Sequence, residues 1–388
     1  MIRKFEEVIR SVIIFLLLSA SNAAAATTVF YSGTIGKNLP IRMLLSIEGE
    51  SVSGRYFYLK TGEEITLTGT LSNGLYTLDE LDSSNKVTAQ FIFSRSSGST
   101  VSGTWYSLEK KTRKLPISLA EILLYPEATP PKPMPIDFVH DSIKISNAKM
   151  KYHCEARFPQ LAQTQLSSTT PNYEWDLFDN SIRHRIEWEL NQTVIDFKGR
   201  YKELKETIAD QNIDGFYEVT DSITNAYYPL VSILFDGQCY FMGAAHEQLF
   251  IYTRTFSFRQ RRWISLGDLF KPKSNYLERL AAYCYRDIKT QLIERAKEEF
   301  KDSLSSASYQ ERLDDINQGY YNNSVTNGTQ PTKENYECFT ISPAGLTIYF
   351  NAYQVASFAD GQFDVTIPFA ELKDILNENG EIQEAIKR

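Results

Sequence analysis

Cysteine and histidine are scarce, at four each in 388 residues. Their scarcity removes most ready-made chemistry. Cys154, Cys239, Cys284 and Cys338 never fall within CxxC spacing, so neither a zinc site nor a thioredoxin-like dithiol is suggested. His140, His153, His184 and His246 are scattered along the chain, and no metal or cofactor is expected from them. The chain has no GxSxG elbow, no Gly-rich phosphate loop and no HExxH pair, the local signatures of serine hydrolases, nucleotide binders and zincins. Positive charge is also in deficit: 41 Lys and Arg stand against 48 Asp and Glu, a formal net charge of −7. Such a chain is a poor nucleic-acid binder and favours cationic partners through steering.

What is present begins with a targeting pattern. Arg3, Lys4 and Arg10 precede an apolar run over 12–18, then small residues to Ala26. That run is far short of the ~20 residues that span a bilayer, and Ala24-Ala25-Ala26 fits a small-x-small cleavage site. The pattern predicts a signal peptide over 1–26 and a periplasmic or secreted mature chain without a transmembrane span; an uncleaved anchor is the alternative. No cysteine follows the run, so no lipoprotein anchor is expected. Losing three basic and two acidic side chains with the signal moves the formal charge to about −8. In an oxidising compartment the four cysteines are disulfide candidates with three possible pairings. Cys284, on a helical apolar stripe, could equally be a buried free thiol.

Residues 27–125 read as an all-β antiparallel domain. Candidate strands cover 29–32, 41–47, 52–59, 64–70, 75–78, 86–94, 100–106 and 114–119. Gly62, Asn73-Gly74, Ser83-Ser84-Asn85 and Ser96-Ser97-Gly98 supply turns between them. A barrel or a sandwich is the natural closure. Ser51-Val52-Ser53-Gly54-Arg55-Tyr56 matches Thr100-Val101-Ser102-Gly103-Thr104-Trp105, a weak internal repeat. Tyr56, Tyr58, Trp105 and Tyr106 could line a ligand or glycan surface, or could simply be core and cross-strand pairs.

Five prolines lie between Pro126 and Pro135. They favour extended polyproline II and predict a semi-rigid linker over 126–140. Beyond it an α+β domain is expected over 141–388, a mixed sheet with two long helices on it. Phe178, Ile182, Ile186, Leu190, Val194 and Phe197 form one stripe of a helix over 173–204. Leu277, Leu280, Cys284, Ile288 and Leu292 form another. Residues 301–335 are polar, with Asn322-Asn323, Asn327-Gly328 and Pro331, and read as a long mobile insertion.

The most distinctive stretch is 227–258. Leu230 to Phe235 and Leu249 to Phe258 are strand-like runs around a glycine-punctuated connection carrying Gly243 and His246. His246-Glu247, with a carboxylate such as Asp236, could form an acid–base pair. Alternatively His246 braces the loop through backbone carbonyls.

Gly243-Ala244-Ala245-His246, an aromatic strand and Ile264-Ser265-Leu266-Gly267-Asp268-Leu269-Phe270 together resemble the RsiV/PdaC-like extracellular domain. This is the C-terminal domain of the anti-sigma factor RsiV and the related region of the peptidoglycan deacetylase PdaC. Further likenesses follow in order. They are Arg157-Phe158-Pro159-Gln160-Leu161, the run from Phe339 to Phe350, Tyr353-Gln354-Val355-Ala356 with Gly361, and Ile367-Pro368-Phe369-Ala370-Glu371-Leu372. The resemblance spans about 141–376. Ala244 replaces a family glycine, and the 301–335 insertion is long. Neither the anti-sigma segment nor a polysaccharide deacetylase domain is recognisable, so the deacetylase activity does not carry over.

The resemblance implies an exported, non-enzymatic binding protein of the cell envelope. Its partner would be a lysozyme-like cell-wall enzyme, as in RsiV, or peptidoglycan. The binding candidates are Tyr227, Tyr228, His246, Glu247 and Tyr353, with no catalytic residue assigned. A hydrolase or deacetylase using His246 and nearby carboxylates is the alternative, and a purely structural envelope protein is the second.

Overall fold

The computed structural model describes residues 26–95, 100–108, 113–122, 135–162, 172–208 and 214–377. The expected signal peptide up to residue 25, and the expected linker up to residue 134, lie outside the described residues. The chain divides into two compact units, the first holding the N-terminal strands and the second everything described from Pro135 onward.

In the first unit, eight strands close into an antiparallel barrel. They are β1 Thr27–Ile35, β2 Leu39–Glu48, β3 Ser51–Tyr58, β4 Ile65–Ser72, β5 Leu75–Leu81, β6 Val87–Arg95, β7 Thr100–Ser107 and β8 Lys114–Ile122. Pairing of β8 back onto β1, from Phe30↔Ile122 to Ile35↔Ile117, decides for a barrel over a sandwich. Alternation sends Tyr31, Met43, Leu45, Val52, Leu67, Phe91 and Phe93 into a side-chain-filled interior, as a barrel of eight strands requires. Between β4 and β5 the Asn73-Gly74 turn has both residues at positive φ (52° and 78°), the geometry that matches strand twist in a tight hairpin.

The repeated Ser-Gly motif has a packing cause. A Cβ on Gly54 would lie 2.3 Å from the Leu44 carbonyl oxygen, and one on Gly103 would lie 2.2 Å from that of Ile92. Glycine is needed where the sheet curls this tightly. The aromatic residues two positions later converge on one carboxylate. Tyr56 donates to Glu80 Oε2 at 2.5 Å and Trp105 Nε1 at 3.1 Å, while Thr88 donates to Oε1 at 2.8 Å. Tyr56 is fully buried and takes the core role, while Tyr58, Trp105 and Tyr106 are half-buried.

The second unit is α+β. Its six-stranded sheet runs β14-β13-β12-β11-β10-β9, built from β9 Phe138–Asn147, β10 Tyr152–Leu161, β11 Gly215–Tyr227, β12 Leu230–Tyr240, β13 Gln248–Ser257 and β14 Arg262–Ile264. Only β10 and β11 pair in parallel, because the connection between them is the helix α1, Tyr173–Ile208. The stripe read from the sequence is the buried one: Phe178, Ile182, Ile186, Leu190, Val194 and Phe197 are all buried. Phe178 meets Phe256, Phe258 and Trp263, and Phe197 stacks on Tyr152.

A three-stranded sheet follows, β15 Phe339–Ser342, β16 Gly345–Phe350 and β17 Phe363–Ile367, ordered β15-β16-β17. It shares a core with α2, Tyr276–Glu299, where Leu280, Cys284, Ile288 and Leu292 pack with Ile341, Ile348 and Val365.

Three expectations are corrected. Residues 138–140, placed in the linker, already belong to β9, and Ile136 N–H donates to Ala226 O. The 301–335 segment is not an irregular insertion: it holds α3 Ala307–Gln318 and α4 Tyr320–Gly328. Tyr309, Ile316, Tyr321 and Val325 from these helices, with Tyr336 beyond them, are buried in the α2 core. Polar composition conceals their helical spacing. Finally, all four cysteines are free.

Register explains one excluded pairing. Cys154 lies beside Tyr217, which lies beside Cys239. Two strand spacings, about 9.5 Å, exceed the ~7 Å Cα separation a disulfide tolerates. Cys284 is sealed in the α2 core, and Cys338 Sγ donates to Ile251 O at 3.4 Å. Burial pushes the thiols of Cys154 and Cys338 up to about 11, which suppresses the reactive thiolate. Unfolded without reductant, the protein should titrate four thiols with a chromogenic disulfide, and the native protein at pH 8 should react slowly. Two or fewer thiols on unfolding would contradict this.

A second prediction comes from α1. Asp179 accepts Leu161 N–H at 2.9 Å, but burial outweighs this bond and raises its carboxyl to about 7. The unfolded value is ~3.9, so the folded state holds the extra proton between the two values. This group therefore costs stability as pH rises from ~4 towards ~7, on the order of 2–4 kcal/mol. Asp179→Asn should flatten that decline in urea midpoints measured from pH 4 to pH 8. An unchanged slope would show that Asp179 is not the responsible group.

Candidate functional site

The β12–β13 hairpin ends its ladder at Cys239↔Gln248 and turns through 241–247. Gly243, at φ +84°, supplies the left-handed position of the turn, and Ala244 N–H donates to Phe241 O at 2.9 Å. At the end of this turn His246 is half-buried and Glu247 exposed.

Opposite lies the loop between β16 and β17. Asn351 fastens it to the sheet: its carboxamide accepts Ile251 N–H at 2.6 Å and donates to Ile251 O at 3.1 Å. Gln354 ties it to the 301–335 region by donating to Gly328 O and Asn335 O. Asp360 is the third anchor. Its carboxylate accepts from Arg312 Nη2 at 3.2 Å, Tyr321 OH at 2.9 Å and Ser357 Oγ at 2.5 Å, while Arg312 stacks over the Tyr321 ring at 4.0 Å.

This triple anchorage holds a strained tyrosine. Tyr353 sits at φ +69° and is 63% exposed. The left-handed conformation costs a side-chain-bearing residue roughly 1–2 kcal/mol, and such strain persists only where its surroundings enforce it. The Tyr353 hydroxyl lies 3.3 Å from His246 Nε2, and the His246 ring stacks on Phe358 at 3.9 Å between centroids. His246 Nδ1 is 2.6 Å from the Glu247 carbonyl oxygen. A carbonyl only accepts, so Nδ1 carries a proton, and in the neutral ring Nε2 accepts from Tyr353. The result is an aromatic surface of His246, Tyr353 and Phe358.

The structure thus separates the candidate residues into two groups. His246, Glu247 and Tyr353 meet at one end of the hairpin. Tyr227 and Tyr228 lie at the other end of β12, where Tyr227 pairs with Leu230. The 11 residues of β12 span roughly 35 Å between the groups. The acid–base arrangement is not assembled, because His246 engages the main-chain carbonyl of Glu247 rather than its carboxylate. Asp236 is paired with Ile251, roughly 10 Å or more down the ladder from the turn.

The other histidines are found elsewhere. His153 faces Glu218 at 3.3 Å. His140 Nδ1 lies 2.9 Å from Asp221 Oδ2, and Arg157 Nε donates to Oδ1 at 3.0 Å; this cluster ties β9, β10 and β11 together. The basic Arg259–Arg262 turn is largely neutralised, since Arg262 forks onto Asp268 and Arg261 meets Glu174. Among the described residues no His, Cys, Asp and Glu group could hold a metal ion, and no helix is long and apolar enough to cross a membrane.

Sequence reasoning missed Asn351, Phe358 and Asp360. Ser357-Phe358-Ala359-Asp360 carries the S-x-x-D capping pattern, and the capping box is formed; that signal could have marked a fixed turn here.

A family described as "Protein of unknown function (DUF3298)" matches residues 267–370, a segment that includes Asn351, Tyr353 and Phe358 but not His246. The chain is 26% identical over 208 residues to the peptidoglycan-N-acetylmuramic acid deacetylase PdaC of Bacillus subtilis (strain 168). The similarity covers 54% of this chain, which spans only 38% of that relative's length. Among solved structures, the chain is similar to a DUF3298-family protein of Bacteroides fragilis NCTC 9343. That similarity has 17% identity and a TM-score of 0.41, covering 65% of this chain and 98% of the other. It is also similar to one from Pseudomonas aeruginosa PAO1, at 12% identity and a TM-score of 0.39, covering 64% and 96%. The expected likeness to a region of PdaC is therefore present.

The Asp360 anchor makes a prediction. Its side chain is 10% exposed, and removing it strands Arg312 and Tyr321. Asp360→Ala should lower stability by about 2–4 kcal/mol and shift the His246 ring proton resonances as Phe358 moves. Unaltered His246 resonances would show that Asp360 does not position the loop.

Proposed function

We propose that the protein is an exported, non-enzymatic binding protein of the cell envelope that recognises peptidoglycan glycan through His246, Tyr353 and Phe358. One observation carries the reading: a tyrosine 63% exposed, held in a strained conformation by anchors on both sides. An exposed, pre-organised aromatic ring offers stacking area at little entropic cost to a sugar face. The relative PdaC is named for action on a peptidoglycan sugar, which supports the ligand class. The N-terminal basic-then-apolar segment supports export.

A second reading has its own support. The formal charge of −7 suits a cationic, lysozyme-like partner by steering, as the RsiV-like resemblance implies.

Co-sedimentation of the mature chain with purified insoluble peptidoglycan tests the first reading. Tyr353→Ala and Phe358→Ala should each weaken retention at least tenfold with unchanged melting temperature. Retention unaffected by either substitution overturns the assignment of this surface. A complex with lysozyme at low salt, without peptidoglycan retention, selects the second reading.

A further inference from the structure

The outer edge of β13 is covered unevenly. At one end, β14 pairs with it only over Thr255↔Ile264 to Ser257↔Arg262. Two residues before Thr255 comes Thr253, and two before that comes Ile251. At Ile251 the Asn351 carboxamide takes the place of a neighbouring strand, accepting the N–H and donating to the C=O. Those bonds show that the Ile251 main chain points away from β12. In an antiparallel ladder outward-facing residues alternate, so the Thr253 N–H and C=O point outward as well. Among the described residues no strand pairs with Thr253 on that side. Its hydroxyl is engaged, accepting Phe339 N–H at 2.8 Å.

A cleft of about 310 Å³ opens at this edge, lined by Thr253 together with Arg254, Trp263, Tyr276, Lys333 and Glu337, among others. Its size is at the small end of ligand clefts, ~300–1,000 Å³. Both aromatic walls are fixed. Trp263 Nε1 donates to Ser181 Oγ at 2.8 Å, and the Tyr276 ring stacks on Phe270 at 4.6 Å. The Arg254 guanidinium lies over the Trp263 ring at 5.1 Å. Lys333 stands exposed at the rim of the cleft.

The geometry points to this cleft as a second binding site, for a short extended peptide carrying a carboxylate, whose main chain pairs with Thr253 as Asn351 pairs with Ile251. One residue of an extended chain presents its N–H and C=O on the same side, spaced to bridge the corresponding pair on Thr253. A sugar N-acetyl group is a trans secondary amide whose N–H and C=O diverge, so it cannot make both bonds. Lys333 then meets the ligand's carboxylate. Thr253 lies five residues along β13 from Gln248, roughly 17 Å from the turn that carries His246, and the site does not rest on the glycan reading.

The test uses the full mature chain, labelled with nitrogen-15, and a pool of N-acetylated tripeptides randomised at every position. The pool is prepared with free carboxylates and, separately, as carboxamides. The free-acid pool should shift the Thr253 amide resonance and slow its hydrogen exchange, and the carboxamide pool should bind at least tenfold more weakly. Lys333→Glu should abolish the free-acid effect without changing the melting temperature. Absence of any Thr253 response at millimolar pool overturns the proposal. So does equal binding of the two pools, or a Thr253 response to chitotriose in place of peptide.

Discussion

The second unit depends on how β15 is seated. It is the edge strand of a small sheet, yet it lies against the face of a larger one, where an exposed row of main-chain groups would be costly. Hydroxyl groups on the larger sheet solve this. Ser232 Oγ accepts Ile341 N–H at 3.0 Å, Thr224 Oγ1 donates to Ile341 O at 2.9 Å, and Thr253 Oγ1 accepts Phe339 N–H. Ser232 is fully buried and shares a hydrogen bond with Thr255. These polar residues in otherwise apolar strands are satisfied and directional, so they fix where β15 sits as apolar packing alone could not. The position of β16, and of the loop after it, follows from that placement.

The loop carries the candidate site, and its restraints come from parts of the chain far apart in sequence. Asn351 binds it to β13, and Gln354 and Asp360 bind it to the helices of the 301–335 region. That region therefore supports a surface rather than forming one. It fills the core beneath with Tyr309, Ile316 and Val325 and presents Arg312 and Tyr321 to Asp360. A strained Tyr353 is tolerable because every neighbouring turn is held independently.

Much of the fold was legible because it obeys local rules. The barrel strands alternate cleanly between Gly, Asn and Ser turns, and α1 and α2 display their buried stripes at four-residue spacing. β9 was not legible: only Ile143 and Ile145 mark its alternation, and prolines precede it. The helices after 301 were hidden because Tyr309, Leu313 and Ile316, or Tyr321 and Val325, are too few apolar residues among Asn, Asp and Gln. Of the site, His246 and Tyr353 could be singled out by motif likeness, and Gly243 as the turn residue. Their contact could not, since it joins positions 107 residues apart. The disulfide expectation failed for a related reason: an even cysteine count says nothing of register, and Cys154 and Cys239 are held apart by the strand carrying Tyr217.

The role proposed for the His246, Tyr353 and Phe358 surface is recognition of the cell wall. Amide and ring resonance mapping of the protein against enzymatically solubilised peptidoglycan fragments tests it most directly. Progressive, saturable shifts confined to 244–247 and 351–358 are the predicted result. Shifts confined to the barrel residues 27–122, with this surface silent, would contradict it.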